Sequence, residues 1–405
     1  KRTAVRTSML EHIVFHLSPS LQRNGNSTMV QGIPLIAKFA DMNKYLKLSV
    51  LPLILLLSAC RAEVSDYDIV WNTPSEDASG SIPVGNGEVG ANVWVEPDGD
   101  LVFYISRTDS WSETGELYKL GRIRVSFSPS IVSGDDFCQR LDLADGCIRV
   151  SGAGTDMKFW IDSEQPVIRI AGKSKDGVSI SAKAEVWRDR EARITPEEAT
   201  DSFRSISGFP EDMVFNRYPD EVLDSEDAVM VRHHNLCSSY DATLDLQGIE
   251  IENRAAYDPF KGRCFGFRMA GKGLGKTSGL ELSSVGAVKD IDISITTHSG
   301  IFASPDDWSA EVERIASEAP ASGESFKRTA GYWDRYWKKS YIFVETPDGE
   351  TGRKINSAYI LQSWIQACAG RGNYPIKFNG SIFTVDPKFT DPEIDGDPAS
   401  LPVSL

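Results

Sequence analysis

The sequence predicts a mainly β protein in which a large antiparallel β-sandwich is followed by helices. Between residues 66 and 303, short segments that alternate apolar with polar or small residues recur, and Gly, Asp, Asn and Ser separate them. From residue 304 onward, the apolar residues recur every three or four positions, which is the helical spacing. The sequence is 41% hydrophobic and contains nine tryptophans, so it can form a large packed core.

The first element is an apolar segment over residues 44–60 that predicts export. Lys44 and Lys47 precede an apolar run over residues 48–57. A positively charged start, an apolar core of about ten residues and a small-residue exit define a secretory signal peptide, and such a core is too short to span a bilayer. We therefore expect a signal peptide over residues 42–59; a buried core helix is the alternative.

The end of this segment, Leu57-Ser58-Ala59-Cys60, resembles the bacterial lipoprotein box, in which the cysteine is lipidated after cleavage. The resemblance implies lipid attachment at Cys60, a tether over residues 60–65 and a bacterial outer-membrane lipoprotein, on the periplasmic side or the cell surface. A lipidated terminus holds a protein to a membrane without a spanning helix. Because Met42 lies just before this positively charged start, we expect residues 1–41 to be a non-translated or disordered extension; a genuine N-terminal arm is the alternative.

The β-sandwich prediction over residues 66–303 depends on a series of strand-like segments. Residues 89–95 alternate apolar with polar or small residues, a turn cluster follows at 97–100, and the apolar run 101–105 comes next, which is typical of a hairpin. Gly85-Asn86-Gly87 predicts a tight turn that needs a positive φ. Residues 188–220 show no clean period, so we expect a long loop there. The other alternating segments are 122–128, 165–171, 178–186, 242–252 and 290–296.

Three helices are predicted between residues 304 and 370. Ser304 provides a capping hydroxyl before Pro305 and two acids, which is a typical helix start. Ser325 is expected to cap the second helix, and the third is expected over residues 355–368, with an apolar face that lacks a partner. The residues expected on the apolar faces are Trp308, Val312 and Ile315, then Phe326, Ala330, Trp333 and Trp337, then Leu361, Trp364 and Ile365.

The composition argues against several classes of function. The net charge of −15 and the lack of a basic run argue against nucleic acid and anionic membrane surfaces as partners. We find no metal-type spacing of ligands and no convincing phosphate-binding glycine motif, so neither a metal nor a cofactor is predicted. His233 and His234 are interpreted as surface residues at a strand edge. Cys138 and Cys147 flank a predicted hairpin turn, where they form either a disulfide or two free thiols.

Several segments resemble a known family. Residues 81–91, SIPVGNGEVGA, resemble the opening motif of glycoside hydrolase family 95, the α-L-fucosidase group. Residues 71–95 resemble still more closely the domain of unknown function 5703 of exported bacterial proteins. The segments ISRTDSWSE at 105–113, YWDRYWKKS at 332–340 and GRGNYPIKFNG at 370–380 continue the likeness. It extends, with gaps, from about residue 66 to about residue 386.

The resemblance implies an N-terminal β-sandwich that packs on an (α/α)6 barrel in which glycosidic bonds are hydrolysed. Linker helices are expected over residues 304–345, and residues 346–405 are expected to be the truncated start of the barrel. Twelve helices with their connections need about 200 residues, which is far more than this last segment offers. The acid and base of the family lie further along such a barrel, so no catalytic residue is nominated.

The expected function is that of the N-terminal portion of an exported lipoprotein glycoside hydrolase that acts on glycans and is inactive as truncated. The alternative is a stand-alone carbohydrate-binding β-sandwich lipoprotein. The expected partners are a glycan and, through the lipid anchor alone, a membrane. By resemblance, Asn379 and Phe378 lie in the loop that approaches the barrel mouth, and Trp111 is a candidate sugar contact from the sandwich.

Asp109, Glu113 and Glu116 are the acids nearest to the family motif. Hydrolysis of a glycoside needs two carboxylates on opposite sides of one bond, about 5–10 Å apart. Because acids are frequent in this chain, two that are close in sequence do not establish such a pair. We therefore interpret these three residues as a solvated turn, and Asp334 as the exposed partner of Lys338 one helical turn later.

Overall fold

The computed structural model describes residues 63–194, 214–339, 341–374 and 382–383. The chain divides into two compact units. Among the described residues, the first contains 63–68 together with those of Asp334–Leu361, and the second contains those of Ile69–Trp333 together with 362–374 and 382–383. The predicted signal peptide over 42–59 and the tether residue Cys60 lie outside the described residues.

The second unit contains seventeen strands among its described residues, in agreement with the predicted mainly β fold. They are β1 Ile69–Trp71, β2 Ile82–Gly85, β3 Val89–Val95, β4 Leu101–Trp111, β5 Leu117–Ser128, β6 Cys138–Asp142, β7 Cys147–Gly152, β8 Thr155–Ile161, β9 Val167–Glu185, β10 Ala192–Arg193, β11 Asn216–Arg217, β12 Glu221–Leu223, β13 Val229–His234, β14 Arg263–Gly271, β15 Leu274–Ser278, β16 Glu281–Ser284 and β17 Val288–Ile301. The predicted segments 165–171 and 178–186 thus belong to one long strand, β9.

Fifteen of these strands form two antiparallel layers that share β9, and β10 and β11 pair with each other in a separate sheet. The first layer has the order β1-β6-β7-β8-β9-β17-β14-β13-β12, and the second has the order β2-β3-β4-β5-β9-β16-β15. Residues 167–174 of β9 pair with β8 and β17, whereas residues 179–185 pair with β5 and β16. One strand therefore passes from the first layer to the second, which confirms the predicted antiparallel β-sandwich.

The core lies between the two layers because successive side chains of a strand point to opposite faces. In β5, Ile123 is fully buried, whereas its neighbour Arg122 is partly exposed on the outer face. Phe103 of β4 and Phe159 of β8 meet edge to face across the layers, with ring centroids 4.9 Å apart. The period-two pattern in the sequence therefore separates the core residues of a strand from those of its outer face.

Four helices are described: α1 Tyr240–Gln247, α2 Pro305–Glu318, α3 Ser322–Lys339 and α4 Glu350–Ala369. The start of α2 is as predicted, since the Ser304 hydroxyl accepts from the amide of Asp306 at 3.2 Å. Its predicted apolar face is buried, with Trp308, Val312 and Ile315 in the core. No helix in the described part of the chain is long and apolar enough to cross a membrane.

The second predicted helix begins earlier than expected. α3 starts at Ser322, so Ser325 lies inside its first turn and does not cap it. The Ser325 hydroxyl accepts from Nε1 of Trp160 at 3.0 Å and donates to Oδ2 of Asp162 at 2.5 Å. Tertiary contacts satisfy this hydroxyl, and the spacing of residues along the helix does not reveal them.

A helix also replaces one of the predicted strands. The segment 242–252 was predicted to be a strand, but α1 extends to Gln247 and covers much of it. Leu244 is the one buried residue of α1, and Gly248 ends the helix with a φ of 65°. A short run with few apolar residues fits both a strand and two helical turns, and for this reason the strand prediction was wrong.

The third predicted helix, α4, is present, but its apolar face has partners. Trp364 is 1% exposed, and its ring stacks on that of Trp333 with the centroids 4.2 Å apart. Its Nε1 donates to the carbonyl oxygen of Pro83 at 2.9 Å. The expectation of an unpartnered face was therefore wrong for Trp364, because its partners come from β2 and from α3.

The first unit packs residues 63–68 against the segment that follows α3. The rings of Tyr67 and Phe343 stack with their centroids 5.9 Å apart, and Nδ2 of Asn356 donates to the Tyr67 hydroxyl at 2.9 Å. Lys338 forms the predicted ion pair with Asp334 at 2.7 Å, and both side chains are exposed. This pair is a surface contact one helical turn apart, as its spacing predicts.

The five cysteines in the described part of the chain are all free thiols. Cys138 lies opposite Ser151 and Cys147 lies opposite Asp142, so the hairpin of β6 and β7 does not place the two thiols opposite each other. The strand register therefore favours the free-thiol alternative. Burial raises the pKa of the Cys147 thiol to about 12, which keeps it protonated.

Candidate functional site

The Gly85-Asn86-Gly87 segment forms the predicted tight turn, between β2 and β3. Gly87 has a φ of 94°, a conformation that favours glycine. The Asn86 side chain stabilises the turn, because its Oδ1 accepts from the amide of Val89 at 2.9 Å. Its Nδ2 donates to the carbonyl oxygen of Asp162 at 2.9 Å, so the turn is also tied to the end of β8.

The same turn contacts the C-terminal end of α4. The amide of Gly87 donates to the carbonyl oxygen of Cys368 at 2.7 Å. A Cβ atom on Gly85 would lie 2.5 Å from that same oxygen, and one on Gly87 would lie 2.6 Å from the amide nitrogen of Gly372. Glycine is required at both positions, since backbone lies directly against backbone. Two family-like segments from opposite ends of the described chain therefore meet here.

Arg371 lies beside this contact. Its guanidinium carbon is 3.7 Å from the centroid of the Tyr332 ring, which is close enough for a cation–π interaction. Among the described residues, Nε and Nη2 of Arg371 are buried without a hydrogen-bond partner. Nδ2 of Asn373 donates to Oε1 of Glu88 at 2.6 Å. The contact between the turn and the segment after α4 thus includes side chains as well as backbone.

The residues predicted to contact sugar are only partly described. Trp111 is the last residue of β4 and is partly buried, and its carbonyl oxygen accepts from Nδ2 of Asn235 at 2.8 Å. Asn379, Phe378 and the predicted lipid attachment residue Cys60 lie outside the described residues. The grouping of Trp111 with Asn379 and Phe378 therefore stays a prediction.

A buried charge network that the sequence did not predict lies just after Trp111. Oε1 of Glu113 is 3.1 Å from Nε2 of His233, and the two side chains are 0% and 1% exposed. Nδ1 of His233 is 3.0 Å from Oδ1 of Asp220. Nε of Arg188 donates to that same oxygen at 2.8 Å. We call this group of four residues the sealed network: Glu113, His233, Asp220 and Arg188.

Two sequence interpretations were wrong in this region. The acids Asp109, Glu113 and Glu116 are each no more than 6% exposed, so they do not form a solvated turn. His233 is not a surface residue, because it is 1% exposed and its imidazole contacts Asp220, which directly precedes β12. Such buried charges persist where they have charged partners, as Asp109 does in its bidentate pair with Arg107 at 2.8 and 3.1 Å.

The environment of His233 defines its protonation state. Burial by itself lowers the pKa of His233, but the carboxylates of Glu113 and Asp220 outweigh this effect and raise the pKa above its ordinary value. The Tyr118 ring packs edge-on against the imidazole at 5.6 Å, and burial followed by the charge of Glu113 raises the pKa of its hydroxyl. His233 is therefore assigned as a cation that donates from both ring nitrogens below its raised pKa.

The sealed network has no room for a substrate. Glu113 and Asp220 contact opposite nitrogens of one imidazole and are 0% and 2% exposed, so no sugar ring fits between them. The network instead ties the turn after β4 to β13 and to the segment before β12. Within the part of the chain that the structure describes, no group of three His, Cys, Asp or Glu side chains is arranged to hold a metal ion.

A groove with different properties opens on the outer face of the second layer. It has a volume of about 320 Å³ and lies between β5, the end of β9 and Leu280 before β16. The side chains that line it include Arg122, Lys183, Glu185 and Trp187. This outer groove was not predicted, because its residues come from separate strands and share no local motif.

Three comparisons with known proteins bear on this chain. The family described as "Domain of unknown function (DUF5703)" matches residues 70–342, which is more than half of the chain. No curated protein matches the sequence. One similar solved structure, described as "Putative kojibiose phosphorylase from human microbiome", has a TM-score of 0.37 and 11% sequence identity. The match covers 75% of this chain and 42% of that one, so this chain spans less than half of its length.

Proposed function

Because the chain belongs to the DUF5703 N-terminal domain family, we propose that it is the N-terminal portion of an exported glycoside hydrolase that acts on glycans. In this proposal, the β-sandwich does not cleave the glycosidic bond. It positions α4 and the loop after α4 for a helical domain that carries the chemistry. The likeness of the sequence motifs to glycoside hydrolase family 95 supports this class of reaction.

One observation carries the proposal: the Gly85–Gly87 turn lies directly against residues 368–372. The amide of Gly87 bonds the last turn of α4 at 2.7 Å, and the indole of Trp364 bonds Pro83 at 2.9 Å. In a free-standing binding module, nothing would require glycine at these two positions. In a sandwich that packs against a helical segment, glycine is required because the backbone of that segment lies against the turn.

The proposal assigns no catalytic acid or base to the described residues. Cleavage of a glycosidic bond needs two carboxylates that flank an accessible bond, about 5–10 Å apart. Glu113 and Asp220 are joined by the imidazole of His233, and Glu185 in the outer groove is paired with Arg122 and Arg124. These acids stabilise neighbouring residues and are not free for proton transfer to a sugar.

Export and membrane attachment are part of the proposal. The lysines, the apolar run and the Leu57-Ser58-Ala59-Cys60 exit support a lipoprotein anchored at Cys60 to the bacterial outer membrane. We expect radiolabelled palmitate to be incorporated into the wild-type chain in bacteria and not into Cys60→Ser. Labelling of the variant to the wild-type level would contradict attachment at Cys60.

The central experiment tests the purified chain for glycan binding and for glycosidic cleavage. We expect binding on a glycan array and no turnover of a panel of aryl-glycosides. Hydrolysis at enzyme-like rates would show that the chain itself contains the acid and base, and would contradict the role proposed for the sandwich. A blank array would contradict the assignment to glycans.

The outer groove supports a second candidate, a carbohydrate-binding lipoprotein that acts without a catalytic domain. Asn379→Ala and Trp111→Phe probe the predicted barrel-mouth contacts, and Trp187→Phe probes the groove. Weaker glycan binding by Asn379→Ala supports the first function. A loss confined to Trp187→Phe supports the second.

A further inference from the structure

The outer groove combines an aromatic side chain with charged residues in contact with solvent. Its volume of about 320 Å³ is at the lower end of the range for small-molecule sites, which is enough for one or two sugar rings. The groove lies on the second layer of the sandwich and shares no lining residue with the Gly85–Gly87 turn or with the sealed network, although Trp187 directly precedes Arg188. It is therefore a separate candidate site.

The Trp187 side chain is held in place by the residues on which it packs. Its ring packs on a buried cluster of Trp94, Val102 and Tyr104 on the outer face of the sheet. The Tyr104 ring meets it edge to face, with the centroids 6.2 Å apart. Trp187 itself is only partly buried, so one part of a fixed aromatic surface faces the groove. A fixed aromatic face binds a pyranose ring with little loss of side-chain entropy.

Arg122, which lines the groove, and Arg124, two residues further along β5, already have partners. Arg122 bonds Glu185, and Arg124 bonds the other oxygen of Glu185 at 3.0 Å as well as Glu96. Although burial opposes it, Arg124 and Arg122 lower the pKa of Glu185, so this carboxylate stays ionised. Arg124 also pairs with Asp100, so the two arginines face three carboxylates and leave no excess positive charge for an anion from solution.

Lys183 differs from the arginines. It is exposed, and no described residue forms an ion pair or a side-chain hydrogen bond with it. Glu281 lies opposite Lys183 on β16, but its Oε1 accepts from the Ser181 hydroxyl at 2.7 Å. Lys183 and Glu185 are two residues apart on β9, so they point to the same face of the sheet. Among the described residues, the Lys183 ammonium thus has no ion-pair partner and is open to a ligand.

We propose that the outer groove binds a glycan that contains a uronic acid, with the sugar ring on Trp187 and its carboxylate on Lys183. This inference rests on the glycan binding that both candidates under the proposed function share, and it names the class of sugar that is bound. An aromatic face alone suits any pyranose, whereas the unpaired ammonium favours the ring that has a carboxylate. The chain's net charge of −15 repels polyanions, so binding depends on this local contact.

The test uses matched probes that differ in the carboxylate alone. Oligogalacturonates, glucuronate-containing xylan oligosaccharides and alginate oligosaccharides are titrated calorimetrically into the full chain, beside their carboxyl-reduced forms. We expect tighter binding of at least one acidic form than of its reduced form. Lys183→Ala should weaken binding of that acidic form about tenfold, in keeping with the loss of one charge-assisted hydrogen bond.

The variants include matched controls. Lys175→Ala removes an exposed lysine from the same strand outside the groove and should leave binding unchanged. Trp187→Phe keeps an aromatic ring over the buried cluster and should weaken binding of the acidic and reduced forms alike. Circular dichroism of each variant establishes that its fold is intact.

Two results would overturn the inference: equal binding of acidic and reduced forms, or equal effects of Lys183→Ala and Lys175→Ala. Binding of neutral glycans with no preference for uronates would remove the uronate inference and leave the proposed function in place. Absence of binding to every glycan on the array would remove both.

Discussion

The sealed network and the outer groove use the same kinds of side chain under opposite conditions of solvent access. Each contains an arginine paired with a carboxylate, Arg188 with Asp220 and Arg122 with Glu185. The first pair is 5% and 2% exposed, whereas the second is 30% and 21% exposed. The comparison teaches that charged residues alone do not identify a ligand site. Without access each charge is needed as the partner of its buried neighbour, and with access it can meet a ligand.

The largest loss of unfolding free energy is expected from replacement of His233, the central residue of the sealed network. His233→Ala leaves Glu113 and Asp220 as buried carboxylates without the imidazolium between them. Breaking a buried ion pair in this way costs about 3–5 kcal/mol of unfolding free energy. Urea denaturation, followed by tryptophan fluorescence, measures this change as a lower midpoint.

Lys338→Ala is the control for this prediction, since it removes an exposed ion pair with Asp334. Such surface pairs contribute about 1 kcal/mol or less to the unfolding free energy. If His233→Ala and Lys338→Ala lowered the unfolding free energy by similar amounts, burial would not distinguish the energetic roles of the two charge pairs.

The pH dependence of stability gives the next largest effect. The pKa of His233 is raised in the folded state, so its contribution to stability is fully present below the unfolded value of about 6.5 and is lost as the pH rises through the folded value. The pKa values of His234 and His298 are lowered, chiefly by burial, so these two residues act in the opposite direction.

Comparison of the wild type with His233→Gln isolates the contribution of His233. We expect the difference in unfolding free energy to fall above pH 6.5, by at most about 1.4 kcal/mol per pH unit. Urea titrations between pH 6 and pH 9 measure this difference. A difference that stays flat or rises over the range would contradict the assignment of a cation at His233.

A smaller effect is expected from the matching change in the outer groove. Glu185→Ala removes the partner of Arg122, while Arg124 keeps Glu96 and Asp100. Because water reaches these side chains, the expected loss is about 1 kcal/mol. A loss as large as that of His233→Ala, in the same urea titration, would show that the groove pair is a structural element of the fold.

The smallest effect is expected from Lys183→Ala. The side chain is exposed and has no partner among the described residues, so the unfolding free energy should stay within about 0.5 kcal/mol of the wild type. A stable variant that has lost uronate binding would separate a binding role from a structural one. A clear loss of stability would indicate a structural contact at this lysine.

Much of the fold was predictable because its elements depend on local patterns. Residues 89–95 alternate apolar with polar or small residues and form β3, and the apolar run 101–105 after the turn cluster forms the start of β4, as predicted. The cap at Ser304 and the face with Trp308 fixed the start and orientation of α2. The predictions failed where a local pattern was ambiguous, as at 242–252, or where a tertiary contact replaced a cap, as at Ser325.

The candidate sites were much less predictable. Glu113 and His233 are far apart in sequence, and neither lies in a motif that links the two. One hint of the sealed network was present in the sequence. Arg188 and Asp220 are the first and last residues of the predicted loop, and their side chains form a hydrogen bond of 2.8 Å. The outer groove gave no hint, because Trp187 and Leu280 are brought together only by the pairing of β9 with β16.

The sequence by itself determined the mainly β architecture, the change to helices after residue 304 and the glycine turn at Gly85–Gly87. These features follow from side-chain periodicity and backbone sterics, which act between near neighbours. Only the tertiary structure decided that Glu113 is buried against His233 while Lys183 is exposed to solvent. Burial of a charge depends on which distant strands pack over it, and that information is not contained in any local segment.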